Sequence, residues 1–189
     1  MRKVLCVCAV VVALCSPAMS AGRQEMKRMG VFLSNFTELG MYDVDAEDIS
    51  DAELVRFGIW HNYVNNYRTR IEDCPDGEGC PYGWKVIRSS HVAGSVKKYF
   101  DLELGHVSIE GGHYDGRYYH FMPADGEIPY YADVQEVSQR GRVITMRGEL
   151  YSSEDRDDRP ATFTATAKPY RYDGKDTWAL LTLKTKWRR

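Results

Sequence analysis

The sequence predicts an α+β fold in which N-terminal helices pack on a curved antiparallel β-meander. Apolar residues recur at helical spacing between residues 51 and 101, and from Val107 onward the apolar pattern changes to a period of two. Turn residues separate the alternating segments, so the connections are short and consecutive strands are expected to run antiparallel. Helices followed by a run of strands are typical of the α+β class.

The N-terminus has the pattern of a secretory signal peptide. Arg2 and Lys3 precede the apolar run 4–14, and small residues follow, which predicts cleavage after Ser20. A lipoprotein signal at Cys15 is disfavoured, because Leu14 stands where that signal has a small residue. The run is also too short to span a bilayer. We therefore expect residues 1–20 to be removed and residues 21–189 to form one exported domain, either periplasmic or secreted.

The helices are predicted from caps and apolar spacing. Ser50 and Glu53 form a capping-box pattern before the apolar residues of a helix at 51–68, in which Gly58 indicates a close packing contact. A second helix is expected at 91–101, with Ser89 or Ser90 as its cap. An earlier helix at 24–39 has no capping residue at its start.

The strands are predicted from alternation between turns. Tyr114-Asp115-Gly116-Arg117 is a two-residue hairpin signal between strands 107–114 and 117–122. Four further strands are expected at 129–138, 142–152, 161–170 and 177–187. Alternation places Ile144, Met146 and Leu150 on one face of strand 142–152. The same alternation places Phe163, Ala165 and Ala167 on one face of strand 161–170.

The order of elements over residues 50–187 resembles the cystatin-like and NTF2-like folds, in which a helix lies in the concavity of a curved sheet. The segments FGIWHNY (57–63) and YDGKDTW (172–178) are similar to stretches of uncharacterised exported bacterial proteins. This resemblance implies an exported α+β protein. It carries no catalytic residue to any position of this sequence.

Cys74 and Cys80 enclose the loop CPDGEGC, which is the most distinctive short motif of the chain. The other three cysteines lie within the predicted signal peptide, and an even pair in an exported chain predicts a disulfide. The spacing does not fit a redox C-x-x-C motif or the usual zinc knuckle. A metal clip, a redox pair and a catalytic thiol stay open as alternatives to a bond that only shapes the loop.

Six aromatic residues are candidates for a binding surface. Tyr82 and Trp84 follow the disulfide loop directly, and rigid aromatic loops often anchor protein interfaces. Trp60 and Tyr63 on the first predicted helix would line a pocket against the sheet. The doublets that contain Tyr118 and Tyr131 are expected on neighbouring strands, with one ring of each doublet on the open face. Burial of Trp84 in the core and ordinary cross-strand tyrosine pairing are the alternatives.

The sequence predicts no metal site and no cofactor. His106, His113 and His120 are seven residues apart, and an odd spacing along a strand alternates between faces, although a hairpin would bring His113 and His120 together. The acids around 43–47 fail the EF-hand pattern, because Asp48 stands where glycine is needed and Leu54 where a bidentate acid is needed. The acidic loop 154–158 also lacks the turn glycine.

Composition and motifs together favour a binding protein. After loss of two basic residues with the signal peptide, 23 basic and 27 acidic residues remain, which gives no attraction to nucleic acid. Serine-nucleophile, phosphate-loop and dinucleotide motifs are absent from the sequence. We therefore expect an exported non-enzymatic module that binds a protein partner through the disulfide loop. The alternatives are a small apolar ligand between helix 51–68 and the sheet, and a hydrolase with His61 as base.

Overall fold

The structure is a computed structural model that describes residues 22–75, 80–123 and 129–188. The predicted signal peptide and its three cysteines therefore lie outside the described residues, as does the centre of the CPDGEGC loop. The described residues form helices and strands in the following order: α1 (Arg23–Thr37), β1 (Val44–Asp45), α2 (Asp51–Asn65), α3 (Tyr67–Arg70), β2 (Ile71–Asp73), β3 (Lys85–Arg88), α4 (Ser89–Phe100), β4 (Gly112–Tyr114), β5 (Tyr118–Phe121), β6 (Tyr130–Arg140), β7 (Val143–Ser152), β8 (Ala161–Tyr172) and β9 (Lys175–Trp187). The predicted α+β class is confirmed.

The larger sheet has five antiparallel strands in the order β1-β9-β8-β7-β6. Its four long strands match the four predicted C-terminal strands within a few residues and follow one another as hairpins. Side chains alternate as predicted, because Ile144, Met146 and Leu150 are buried while Arg147 is exposed. Register shifts between Val134 and Glu136 and between Thr166 and Ala167 are the irregularities of the ladder.

The prediction of one continuous meander is wrong in one respect, because the strands divide between two sheets. The second sheet has four antiparallel strands in the order β2-β3-β5-β4. Its strands β2 and β3 are three and four residues long, flank the disulfide loop and have no counterpart among the predicted strands. The predicted strand 107–114 is reduced to Gly112–Tyr114.

Two hydrophobic cores correspond to the two sheets. The larger core lies between the five-stranded sheet and helices α1 and α4, with Phe36 and Leu33 fully buried. The smaller core lies against the four-stranded sheet and contains Ile87 and Tyr119. Helix α2 contributes to both cores, because Phe57 packs in the larger core and Ile59 in the smaller one. This helix therefore joins the two layers.

The helix boundaries follow local capping chemistry. Ser50 Oγ accepts a hydrogen bond from the Glu53 amide, and the Glu53 carboxylate accepts one from the Ser50 amide, which confirms the capping box. The predicted helix 51–68 is interrupted at Asn66, which separates α2 from α3. The predicted serine cap of the second helix is wrong: α4 begins at Ser89 after Arg88, without a side-chain cap. Helix α1 also lacks a side-chain cap, as expected.

Candidate functional site

The disulfide loop follows β2 directly and is tied at its Cys74 end to the start of β3. Cys74 and Cys80 form a disulfide, with their Cα atoms 5.7 Å apart. The Cys74 amide donates a hydrogen bond to the carbonyl of Trp84, directly before β3. The sulfur atoms therefore lie at a defined place beside the sheet, next to a side chain of β5.

That side chain is His120, and its imidazole connects the disulfide to a carboxylate. Nδ1 of His120 lies 3.1 Å from Cys74 Sγ and 3.4 Å from Cys80 Sγ. Nε2 lies 2.9 Å from the Asp115 carboxylate, which also accepts hydrogen bonds from the amides of Arg117 and Tyr118. The amide of Tyr118, His120 and the amide of Arg117 lower the pKa of Asp115 to about 2. We call Cys74, Cys80, Asp115 and His120 the Cys74–His120 cluster.

The hairpin register decides which histidines converge. His113 and His120 are direct cross-strand partners, and their rings stack with centroids 4.5 Å apart. His106 lies elsewhere and contacts the Tyr119 hydroxyl at 2.8 Å. Among the described residues, the ligand atoms of Cys74, Cys80 and His120 lie within 4.8 Å of one another, but the two sulfur atoms are joined in a disulfide and are not thiolate ligands. The three equally spaced histidines do not form such a group in the described part of the chain.

The six predicted aromatic residues do not form one surface. Tyr118 lies on the four-stranded sheet near Arg88 and Arg117, while Tyr131 lies on the five-stranded sheet beside Tyr151. The prediction that their doublets occupy neighbouring strands is therefore wrong, because β5 and β6 belong to different sheets. Their assignment to a binding surface remains a prediction.

The aromatics near the disulfide loop and on α2 lie in different surroundings. The ring of Tyr82 is 98% exposed, whereas Trp84 is half-buried and contacts His113 with ring centroids 6.0 Å apart. Trp60 and Tyr63 contact each other and Phe121, so these two predicted residues are neighbours.

A groove of about 680 Å³ runs between the two layers beside α2, and we call it the Trp60 groove. Its volume is within the range of small-molecule sites, roughly 300–1,000 Å³. Four segments line it: the turn after α1, the outer face of α2, the segment before β4 and the end of β9. The lining residues are Leu39, Gly40, Met41, Tyr42, Asp43, Ala52, Glu53, Arg56, Phe57, Trp60, Ser108, Ile109, Glu110 and Trp187.

Both aromatic rings and charged groups line the Trp60 groove. Tyr42 and Trp187 pack edge to face with centroids 5.0 Å apart, and Trp60 reaches the groove from α2. Arg56 is exposed and forms no ion pair with any described residue. Of these lining residues, only Trp60 was predicted from the sequence. Tyr42 and Trp187 come together through the pairing of β1 with β9, which the sequence did not indicate.

His61, the candidate base of the hydrolase alternative, is a packed side chain. It is 4% exposed and lies against Phe57 and Tyr99, with ring centroids 5.6 and 4.7 Å away. Burial, together with Lys98 and Arg70, lowers its pKa to about 4. Its hydrogen-bond contact among the described residues is with Asn65, so the geometry does not place a reacting group beside it.

The acidic segments 43–47 and 154–158 have local structural roles. The Asp45 carboxylate accepts a hydrogen bond from the Glu47 amide, and Asp155 accepts one from the Asp157 amide. Within the described ranges, neither segment brings three acids into a group that can hold a metal ion.

Comparison with known proteins finds no matching family model, no matching curated protein and no matching solved structure. In the part of the chain that the structure describes, no helix is long and apolar enough to cross a membrane.

Proposed function

We propose that this is an exported binding protein whose Trp60 groove takes a small organic molecule. The observation that carries the proposal is the groove itself, about 680 Å³ in volume, with aromatic side chains from separate parts of the chain. Trp60 and Trp187 offer apolar faces with hydrogen-bonding tips, and Tyr42 adds a further ring face. These groups suit ligands that have both a flat apolar part and polar groups.

The charges of the Trp60 groove indicate the ligand's charge. The lining contains three carboxylates, those of Asp43, Glu53 and Glu110, and one guanidinium, that of Arg56. Its net charge is therefore negative. Carboxylates and the faces of aromatic rings both attract cations. The groove therefore favours a neutral or cationic ligand over an anionic one.

The test uses three probes that share one ring and differ in charge: benzylamine, benzyl alcohol and benzoate. Saturation-transfer NMR should show that benzylamine and benzyl alcohol contact the protein more strongly than benzoate does. Trp187→Ala and Tyr42→Ala should each weaken these signals, because both side chains line the groove. Tyr82→Ala is the matched control, since Tyr82 is exposed and does not line the groove.

Equal signals from all three probes, or signals that survive both groove substitutions, would contradict the proposal. Thermal unfolding of each variant checks that the fold is kept. Export is tested separately, by fractionating cells that produce the full chain and sequencing the N-terminus of the mature protein, which we expect to begin at Ala21.

A protein partner is the second candidate, and the exposure of Tyr82 favours it. This ring is 98% exposed, and Gly83, at φ +85°, follows it directly beside the anchored disulfide. Large exposed aromatics on constrained turns are typical interface anchors. Crosslinking of an exported-protein extract should capture a defined partner with the wild type and with Trp187→Ala, and lose it with Tyr82→Ala. Capture that is unchanged by Tyr82→Ala would exclude this surface.

A further inference from the structure

We propose that the Cys74–Cys80 bond is an exchange-active disulfide, with His120 as the acid–base partner of both sulfur atoms and a dithiol compound as substrate. This inference does not depend on the Trp60 groove, because none of the four members of the Cys74–His120 cluster lines that groove. It assigns chemistry to a bond that would otherwise only shape a loop.

The position of one ring between two sulfur atoms carries the argument. Nδ1 of His120 is within 3.1 Å of Cys74 Sγ and 3.4 Å of Cys80 Sγ. Thiol–disulfide exchange needs a proton donor for the thiolate that leaves and a base for the thiol that attacks. A single imidazole within reach of both sulfur atoms supplies both roles.

Asp115 gives that imidazole a fixed orientation. Its carboxylate lies 2.9 Å from Nε2 and is itself held by two backbone amides of the hairpin. Because the Asp115 carboxylate accepts a hydrogen bond from Nε2, the proton of the neutral ring stays on Nε2. Nδ1 therefore faces the sulfur atoms with its lone pair. The same carboxylate stabilises the imidazolium that forms when Nδ1 takes a proton. Asp115 is therefore a positioning residue.

The two cysteines differ in exposure, which orders the reaction. Cys80 is 8% exposed, whereas Cys74 is half-buried. Nδ1 of His120 takes the proton of one substrate thiol, and the resulting thiolate attacks Cys74 Sγ. The Cys74–Cys80 bond breaks, a substrate–Cys74 disulfide forms, and Cys80 leaves as a thiolate that takes this proton from Nδ1. The second thiol of the substrate then gives its proton to Nδ1 and attacks the substrate sulfur of this mixed disulfide. Cys74 leaves as a thiolate and takes that proton. Two electrons and two protons pass from the dithiol to the cysteine pair, so the dithiol is oxidised to a disulfide; the reverse reaction reduces a substrate disulfide.

Within the described ranges, the charged and titratable groups that contacts and strand register place around His120 are Asp115, the stacked His113 and the Asp73–Lys85 ion pair. Among the described residues, His113 forms no hydrogen bond with either sulfur atom, although its ring lies against that of His120. His113 therefore serves as the matched control: it is a histidine on the same face of the sheet that takes no part in the exchange.

The experiment measures how fast dithiothreitol reduces the oxidised full-length protein at neutral pH, with the thiols of the Cys74 and Cys80 peptides trapped by alkylation and counted by mass spectrometry. His120→Asn should slow the reduction roughly tenfold or more, a threshold set below the roughly 10²–10⁴-fold that is typical of general acid–base catalysis. His113→Asn should change the rate by less than about threefold, because general acid–base effects require hydrogen-bond reach. The rate concerns the oxidised state, so it does not require the reduced form to stay folded.

Asp115→Asn is a second variant that keeps the hairpin. The amide oxygen of asparagine still accepts from the amides of Arg117 and Tyr118, while its NH₂ group faces Nε2 and forces the proton of the neutral ring onto Nδ1. In the reduced protein, the rate of Cys74 alkylation should increase with pH. The pH at the midpoint of this increase should be lower in the wild type than in Asp115→Asn or His120→Asn. Equal reduction rates in wild type and His120→Asn, or an equal loss in His113→Asn, would overturn the proposal and leave a structural bond.

Discussion

At the scale of single residues, His61 shows how burial decides the state of a titratable group. The ring lies between Phe57 and Tyr99 and is 4% exposed. Burial in apolar surroundings disfavours the charged form, and Lys98 and Arg70 add repulsion, so the pKa falls from 6.5 to about 4. The neutral ring is a packing element of the larger core.

This lowered pKa predicts a loss of stability in mild acid. Between pH 6.5 and about 4 the unfolded chain binds a proton at His61 that the folded chain does not bind, so the free energy of unfolding decreases as the pH falls. The loss is at most about 3 kcal/mol, since each pKa unit corresponds to about 1.4 kcal/mol. Urea unfolding over this pH range should show a shallower decline for His61→Gln than for wild type. Parallel curves would contradict the assignment.

Single residues were predictable where one short motif determines them. The pairing of Cys74 with Cys80 followed from cysteine number and context. The contact of His120 with both sulfur atoms did not, because it depends on the register of β5 against β3 and β4. Tyr42 and Trp187 were missed for the same physical reason, since a strand pairing brings them together from opposite ends of the chain.

At the scale of elements, α2 is a helix with two buried faces. Leu54 and Phe57 face the larger core, while Val55 and Ile59 face the smaller one. Helix α4 crosses α2 closely at Gly58, where an added Cβ would lie 2.6 Å from Val92 Cγ1 and 2.9 Å from the Val92 carbonyl oxygen. The close contact predicted for this glycine is confirmed.

Gly58→Ala should therefore destabilise the protein despite the higher helix propensity of alanine. Alanine gains up to about 1 kcal/mol in a helix, but overpacking in a core costs roughly 1–3 kcal/mol. The matched control is Gly94→Ala in α4, where the added Cβ meets only the hydroxyl of Tyr172 at 3.3 Å. Thermal unfolding should place Gly58→Ala below wild type and Gly94→Ala level with it or above it. The reverse order would mean that the crossing is looser than described.

Elements were predictable in proportion to their length. Strands β7 and β8 alternate along their buried lengths, so both their position and their buried face were evident. Strands β6 and β9 are as long, so their position was evident, although their burial does not alternate throughout. Strands β2 and β3 are too short to show a period, and they were missed. Asn66 interrupts the first predicted helix because its backbone leaves the helical region, at φ −134°, which the apolar spacing does not reveal.

At the scale of the whole molecule, the chain changes sheets between β5 and β6. Short connections usually join neighbouring strands, and this rule holds within each hairpin but fails across residues 122–129. The alternating pattern shows which face of a strand is buried. The pattern does not show which neighbouring strand each edge pairs with, so one meander and two sheets have the same sequence signature.

The two sheets nevertheless share one structural support, and we expect them to unfold together. Helix α2 belongs to both cores, so loss of either core exposes apolar residues of the same helix. Leu33→Ala in the larger core and Ile87→Ala in the smaller core should each lower the free energy of unfolding by about 2–5 kcal/mol, because both side chains are buried.

Cooperativity distinguishes one folding unit from two. If α2 couples the layers, Ile87→Ala should reduce the hydrogen-exchange protection of amides in β7 and β8 as much as in β5, although those strands lie in the other sheet. Urea unfolding followed by tryptophan fluorescence and by far-ultraviolet circular dichroism should then give coincident single transitions. Early loss of protection in the four-stranded sheet alone would show that this sheet opens independently. In that case the Trp60 groove, which lies between the layers, would change shape whenever the smaller sheet opens.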